Sequence, residues 1–210
     1  MLSTCSRLVL VAVSSILFCS CRSASSAGSP LTPDQSSGKV VEALQTRLAS
    51  ERSNREMEEI AVLAGDWDLV LEAAGAQPAV IARGHATLAT ILGGQFLEWN
   101  TKMTVGDQEL HSRGLLGFDS QLRRYEFLWV SELSGAQRLA RGRGNPLGQG
   151  LGLDYQDTDA VTGAAGRFQS WLQVQDSDHF VLEQREYDGA SGVWLVRVRT
   201  RYVRRGSAPQ

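Results

Sequence analysis

From Asp66 to the C-terminus, hydrophobic and polar residues alternate along the chain with a period of two. The alternation recurs in about ten short runs, for example DWDLVLEA, QFLEWNTKMTV and HFVLEQREY. Pairs of turn-forming residues separate the runs, as Gly106-Asp107 and Asp188-Gly189 do. A period of two places successive side chains on opposite faces of a strand, so the pattern predicts about ten antiparallel strands at hairpin spacing.

The last of these runs shows the alternation most clearly. Its predicted core face consists of Trp194, Val196, Val198, Thr200 and Tyr202. Its predicted solvent face consists of Arg197, Arg199 and Arg201. We therefore expect one face of the sheet to be buried and the other to contact water.

Ten strands linked by hairpins leave two exposed edges, which proteins remove or protect. Closing the sheet on itself is the simplest way to remove them. The sequence thus predicts an all-β fold over residues 65–206, an antiparallel up-and-down (calycin-like) barrel of about ten strands. A two-sheet sandwich is the alternative that the pattern leaves open.

Residues 39–64, which precede the first strand, have helical periodicity instead. Val41, Leu44 and Leu48 share one face of a helix. Met57 and Ile60 begin a second set after a break at 50–54. We expect an N-terminal helical segment of two short helices or one interrupted helix, which would cover one end of the barrel.

The N-terminal segment, residues 1–20, has the pattern of a secretory signal peptide. A single basic residue, Arg7, precedes an apolar stretch at 8–18, shorter than the ~20 residues of a transmembrane helix. The segment resembles a bacterial lipoprotein signal, in which Cys21 would be the lipidated residue. We expect the chain to be exported to the cell envelope and anchored to a membrane through a lipid on Cys21. Ordinary cleavage within 20–27 is the alternative.

Two further features concern the part of the chain after this leader. Residues 21–38 are mainly Ser, Gly, Pro and Ala, the composition of a flexible linker. The three cysteines of the chain are Cys5, Cys19 and Cys21. The predicted barrel therefore has no disulfide and must be stabilised by its core.

The charge balance argues against a nucleic-acid partner. The chain has 21 Lys and Arg residues against 23 Asp and Glu residues, whereas nucleic-acid-binding domains carry a basic excess. Arginines are frequent in the later runs, and glutamates such as Glu126, Glu132, Glu183 and Glu186 are interleaved with them. We expect cross-strand ion pairs on the outer face rather than a site for anionic lipid or polysaccharide.

Six short segments together resemble one known family. They are 63–67 (LAGDW), 84–87 (GHAT), 91–97 (ILGGQFL), 114–119 (GLLGFD), 125–130 (YEFLWV) and 202–205 (YVRR). They occur in the order seen in DUF1579, a bacterial family of unknown function, and the resemblance extends from about Glu58 to Arg205. It implies a barrel like those of lipocalins or fatty-acid-binding proteins, and it implies no particular chemistry.

The histidines give no support for a heme or metal site. Related heme-binding nitrobindin barrels use a histidine near the chain end as the iron ligand, whereas the last histidine here is His179, before the last strand pair. His85, His111 and His179 also have no His or Cys partner at metal-ligand spacing. We expect no metal ion and no cofactor.

No catalytic residue is predicted either. The chain has no G-x-S-x-G motif, and no cysteine lies in the predicted domain. Four carboxylates could form pairs inside a cavity, but the alternation favours the solvent face for them; they are Glu98, Glu126, Glu183 and Glu186.

Aromatic residues are the expected building material of the barrel interior. Trp99, Trp129 and Trp194 are candidate contacts for a ligand, whereas Trp67 is predicted to be structural, at the junction of helix and strand.

The first functional hypothesis is a binding module for a small hydrophobic ligand. The second is a structural or interaction module of the cell envelope with a filled barrel, and the third is an enzyme that uses cavity carboxylates. The volume and polarity of the interior distinguish them.

Overall fold

The computed structural model describes residues 33–52, 55–75, 77–158 and 163–206 of the chain. The leader at 1–20, Cys21 and the first part of the predicted linker lie outside the described residues. The chain divides into two compact units, residues 1–40 and 41–210. The described part of the first unit is the beginning of a helix, and the second unit contains the barrel.

Two helices and a 3-10 turn precede the first strand. Helix α1 comprises Pro33–Arg52, helix α2 comprises Arg55–Ile60, and the 3-10 turn comprises Ala61–Leu63. Helix α1 begins inside the segment predicted as linker, which corrects the predicted boundary at Gly38. Proline suits the first position of a helix, because its φ is already helical and its missing N–H would have no partner there.

Among the described residues, no helix combines the length and the apolar character needed to cross a membrane.

Ten antiparallel strands form the barrel. They are β1 Gly65–Ala73, β2 Ala79–Ile91, β3 Phe96–Val105, β4 Gln108–Asp119, β5 Arg124–Ser131, β6 Ser134–Asn145, β7 Gly150–Thr158, β8 Ala165–Val174, β9 His179–Asp188 and β10 Val193–Arg204. Each strand pairs with its neighbours in sequence, and β1 pairs with β10 to close the ring. The predicted up-and-down barrel is confirmed, and the sandwich is excluded.

Strand β3 shows how the alternation fills the barrel. Leu97, Trp99 and Thr101 are buried, whereas Lys102 and Thr104 face water. Every second side chain thus points inward, as expected for a sheet with one buried face.

Helix α2 and the 3-10 turn close one end of the barrel, which we call the capped end. Met57, Ile60 and Leu63 are no more than 2% exposed and belong to the same core cluster as the strand residues around them. The indole Nε1 of Trp67 donates a hydrogen bond to the carbonyl oxygen of Leu63 at 2.9 Å. The capped end is therefore held by apolar packing and by hydrogen bonding together, and Trp67 is structural, as predicted.

Arg204, the last residue of β10, fastens the same end. Its guanidinium lies over the Trp67 ring, 4.2 Å from the centroid. It also donates hydrogen bonds to the carbonyl oxygens of Val62, Ala64 and Ser177, at 2.8, 2.9 and 2.9 Å. One side chain thus joins the 3-10 turn, the start of β1 and the β8–β9 turn.

Three irregularities in strand pairing lie toward the other end, which we call the open end. Register shifts occur between Leu71 and Glu72, between Trp129 and Ser131, and between Val196 and Val198. A bulge inserts one unpaired residue, so it changes which side chains beyond it face inward.

Candidate functional site

The barrel interior contains a cavity in its open half. Its volume is about 730 Å³, within the range of roughly 300–1,000 Å³ typical of small-molecule sites. The lining comes from β1 and from β3 to β10, mostly from the halves of these strands toward the open end, and Tyr202 lines it from nearer the capped end. Leu133, in the β5–β6 turn, also lines it and is 70% exposed, so the cavity reaches the surface. The barrel is thus filled in its capped half and hollow in its open half.

Large apolar side chains cover much of the wall of this cavity. They are Leu71, Met103, Phe127, Trp129, Phe168 and Leu182. The rings of Phe127 and Trp129 lie with centroids 5.5 Å apart, beside Gly114. A Cβ atom at position 114 would be 2.6 Å from the Phe127 ring and 2.8 Å from the Trp129 ring. Glycine at this position therefore makes room for both rings.

One of the three tryptophans predicted as ligand contacts, Trp129, lines this cavity. Trp99 is not part of the lining; it is 1% exposed, and its ring centroid lies 6.4 Å from that of Trp129 and 5.4 Å from that of Tyr202. Trp129 is therefore placed to touch a ligand, while Trp99 supports the rings that would do so.

Trp194 lies elsewhere. It is not among the residues that line the cavity, and it packs against Tyr187, with ring centroids 5.3 Å apart. The cause is the bulge in β10 between Val196 and Val198, which reverses the alternation assumed for that strand. For the same reason Arg197, predicted to face solvent, lines the mouth of the cavity.

A belt of uncharged polar groups lies among the apolar residues. The Tyr155 hydroxyl donates to the Gln184 side-chain oxygen at 2.8 Å, and the Ser170 hydroxyl donates to the same oxygen at 3.1 Å. Burial raises the pKa of Tyr155 to about 12. The phenol therefore stays protonated, and remains a donor, over the ordinary pH range.

On the opposite side of the barrel the belt continues with Thr101 and Ser112. Thr101 is 4% exposed and Ser112 is 5% exposed, and both line the cavity. Within the described part of the chain, neither hydroxyl oxygen has a hydrogen-bond partner. Buried hydroxyls are normally paired, so these two groups are free to bind a molecule in the cavity.

The charged residues of the described lining are paired with one another. Arg138 forms an ion pair with Asp157. The Nε atom of Arg197 donates to a carboxylate oxygen of Glu186 at 2.6 Å. The two positive and two negative charges of the lining therefore balance.

The other candidate carboxylates lie on the outer wall. Glu126 pairs with Arg141 across the strands at 3.0 Å. Glu183 lies between Arg185 at 2.6 Å and Arg199 at 2.7 Å. Burial disfavours the ionised form of Glu183, but hydrogen bonds from these two arginines outweigh that effect and lower its pKa. The predicted cross-strand ion pairs are confirmed at both positions.

Each histidine lies beside one carboxylate. The pairs are His85 with Asp68, His111 with Glu109 and His179 with Asp176, at 2.8, 3.1 and 2.8 Å. Within the described ranges, no group of three or more His, Cys, Asp and Glu side chains is arranged to hold a metal ion.

The polar belt was not predicted from the sequence. Thr101 follows Trp99 at a spacing of two, so the alternation does place its side chain inside the barrel. The alternation does not show whether an inward-facing hydroxyl has a hydrogen-bond partner, because such partners lie on strands that are distant in sequence. Pairing of β3 with β4 places Ser112 directly opposite Thr101.

A known family model covers most of the chain. The family model described as "Protein of unknown function (DUF1579)" matches residues 53–204. The chain belongs to this family. The matched range includes α2 and extends to the end of β10, so the resemblance found in the sequence is confirmed.

None of the curated proteins matches the sequence. Among solved structures, the S-type phycobiliprotein lyase CPES from Guillardia theta is similar, with 8% sequence identity and a TM-score of 0.46. The similarity covers 76% of this chain and 98% of that one.

Proposed function

We propose that the protein binds a small amphipathic molecule in the open half of its barrel. The observation that carries the proposal is the cavity of about 730 Å³ and the composition of its wall. Large apolar side chains form much of this wall, uncharged polar groups lie among them, and the charged side chains of the described lining are paired with one another. A ligand with both an apolar and a polar part would match this wall.

The energetics favour such a ligand over a filled interior. Burial of apolar surface contributes about 25 cal/mol per Å², and the walls formed by Phe127, Trp129 and Phe168 offer that surface. The second hypothesis, an interaction module with a filled barrel, would need side chains that occupy this space. The described lining residues leave it open.

Native mass spectrometry tests the proposal. The Cys21→Ser protein, which cannot be lipidated at that position, is purified from a bacterial host without detergent. We expect a stoichiometric small molecule that is lost on denaturation, or a rise in melting temperature with one class of a lipid panel. A clean mass, with no member of the panel raising the melting temperature, would contradict ligand binding and favour the interaction module.

A pair of variants locates the binding site within the barrel. Trp129→Ala should weaken binding of the identified ligand about tenfold or more, because a large aromatic contact is lost. Trp194→Ala is the matched control, since this tryptophan lies at the same end but outside the cavity. Equal losses in the two variants would contradict the assigned position of the ligand.

We also propose that the chain is exported and held at a membrane by a lipid on Cys21. The apolar stretch at 8–18 and the polar sequence after Cys21 support this proposal. Metabolic labelling with a fatty acid should mark the Cys19→Ser protein and leave the Cys21→Ser protein unmarked. A mature protein that begins within 20–27 and carries no lipid would refute the anchor and leave ordinary cleavage.

A further inference from the structure

The hydroxyls of Thr101 and Ser112 form a pair on one wall of the cavity. The two residues are register partners on β3 and β4, and both side chains point inward. Both are more than nine-tenths buried, and within the described part of the chain neither hydroxyl has a partner. A buried hydroxyl without a partner is destabilising. The pair is therefore explained most directly by a ligand that satisfies it.

The opposite wall supplies another donor. In the closed ring, β8 and β9 lie half a turn away from β3 and β4. The Gln184 side-chain oxygen on β9 already accepts hydrogen bonds from Tyr155 and Ser170. Its amide nitrogen, which can only donate, therefore remains for a further acceptor. A hydrogen-bond acceptor is the one group that Thr101, Ser112 and Gln184 could all bind.

Charge selects among acceptors. The charged side chains of the described lining form two ion pairs, Arg138 with Asp157 and Glu186 with Arg197. Each of these charges already has a partner, so the described lining offers no unpaired counter-ion to a charged group of a ligand. An ionised group placed beside Thr101 and Ser112 would lose its hydration without gaining a counter-ion, which is strongly unfavourable.

We infer that the ligand carries an uncharged acceptor, such as a ketone, ester or amide carbonyl, bound by Thr101 and Ser112 with Gln184 opposite. This inference rests on the proposed function, because it assumes that the cavity is a binding site. It assigns the ligand class as a neutral carbonyl compound with an apolar chain. It excludes free fatty carboxylates and alkylammonium ions that bind head first.

Four probes of equal carbon number test the inference on the Cys21→Ser protein. They are a medium-chain alkane and the corresponding methyl ketone, carboxylate and primary ammonium ion. Affinities are measured at neutral pH by calorimetry or by the change in tryptophan fluorescence. We expect the ketone to bind more tightly than either ion.

The decisive comparison uses the double variant Thr101→Val/Ser112→Ala. Loss of the hydrogen bonds should weaken ketone binding about tenfold and leave alkane binding within about twofold of its original value. Retained alkane binding also shows that the variant is folded and its cavity intact. Thr87→Val is the matched control, because its hydroxyl lies outside the cavity lining and already donates a hydrogen bond to Asp66 at 2.7 Å.

Each outcome has a separate meaning. If the carboxylate or the ammonium ion binds at least as tightly as the ketone, the inference is wrong and the cavity still binds ligands. If the double variant weakens alkane and ketone equally, the two hydroxyls support the structure rather than the ligand, and the inference is again wrong. If none of the probes binds the unmodified cavity, the proposed function fails together with the inference.

Discussion

The two ends of the barrel are built from the same ten strands, yet they differ in what fills them. At the capped end, α2 and the 3-10 turn place Met57, Ile60 and Leu63 among the strand side chains, and Arg204 fastens the turn. At the open end the interior is hollow and its polar groups are incompletely paired. The strand-pairing shifts also lie toward this second end.

The comparison indicates that the residues that stabilise the fold lie mainly at the capped end, whereas those placed to bind a ligand lie mainly at the open end. A filled, hydrogen-bonded end can hold the strands in register while the other end keeps an unfilled space. Sites adapted to function are often not optimised for stability. Substitutions at the capped end should therefore mainly change the free energy of unfolding, and those at the open end should mainly change binding.

The largest expected effect is that of Trp67→Ala at the capped end. The change removes a buried indole, its hydrogen bond to Leu63 and the stacking of Arg204. We expect a loss of about 3–5 kcal/mol in the free energy of unfolding, measured by urea denaturation. Trp129→Ala, which enlarges an existing cavity, should cost clearly less. Equal costs for the two variants would refute the separation.

Arg204→Met should have the next largest effect. It keeps an apolar chain over Trp67 but removes the donors to the carbonyl oxygens of Val62 and Ala64. Hydrogen bonds from charged groups contribute about 1.5–3 kcal/mol, so a loss of that order is expected in thermal or urea unfolding. The matched control at the open end is Arg197→Met, whose exposed ion pair should contribute less than about 1 kcal/mol. A larger loss in the control than in Arg204→Met would contradict the comparison.

Thr101→Val should have a small effect of the opposite sign on the ligand-free protein. The variant has nearly the same shape and removes a buried hydroxyl without a partner, so the free energy of unfolding should be unchanged or raised by up to about 1 kcal/mol. Thr87→Val removes a paired hydroxyl and should lower the free energy of unfolding slightly. Destabilisation by Thr101→Val beyond about 1 kcal/mol would show that its hydroxyl has a structural role.

The smallest effect concerns the outer wall, and it depends on pH. The hydrogen bonds from Arg185 and Arg199 lower the pKa of Glu183 in the folded protein relative to the unfolded chain. The stability that this pair contributes is therefore present above the unfolded pKa of about 4.3 and is lost as the pH falls through the folded pKa. The difference in unfolding free energy between the original protein and Glu183→Gln should shrink on acidification below about pH 4. A difference that stays constant down to pH 3 would contradict this prediction.

Most of the fold could be predicted because its signals are local. The alternation along runs such as 96–105 follows from the geometry of a single strand, and the turn residues follow from the geometry of a hairpin. The helix start at Pro33 was missed because the Ser, Gly and Pro content of 21–38 resembles a linker, although proline is favoured at the first position of a helix.

Less of the candidate site could be predicted, for two physical reasons. The bulge in β10 moves Trp194 out of the interior and Arg197 into the lining, and it arises from the pairing of β10 with β9. The unpaired state of Thr101 and Ser112 depends on what the other strands bring near them. Neither the bulge nor the unpaired hydroxyls can be predicted from the local pattern of residues.

The sequence by itself determined that the chain forms about ten strands and that a helical segment precedes them. Both features depend on residues that are neighbours along the chain. The tertiary structure alone decided which half of the interior is filled. Whether a side chain such as Met57 or Met103 fills space or borders a cavity depends on residues far away in sequence. Packing in the interior depends on many such distant contacts. Which half of the barrel is filled is therefore decided only when β1 pairs with β10 and the barrel closes.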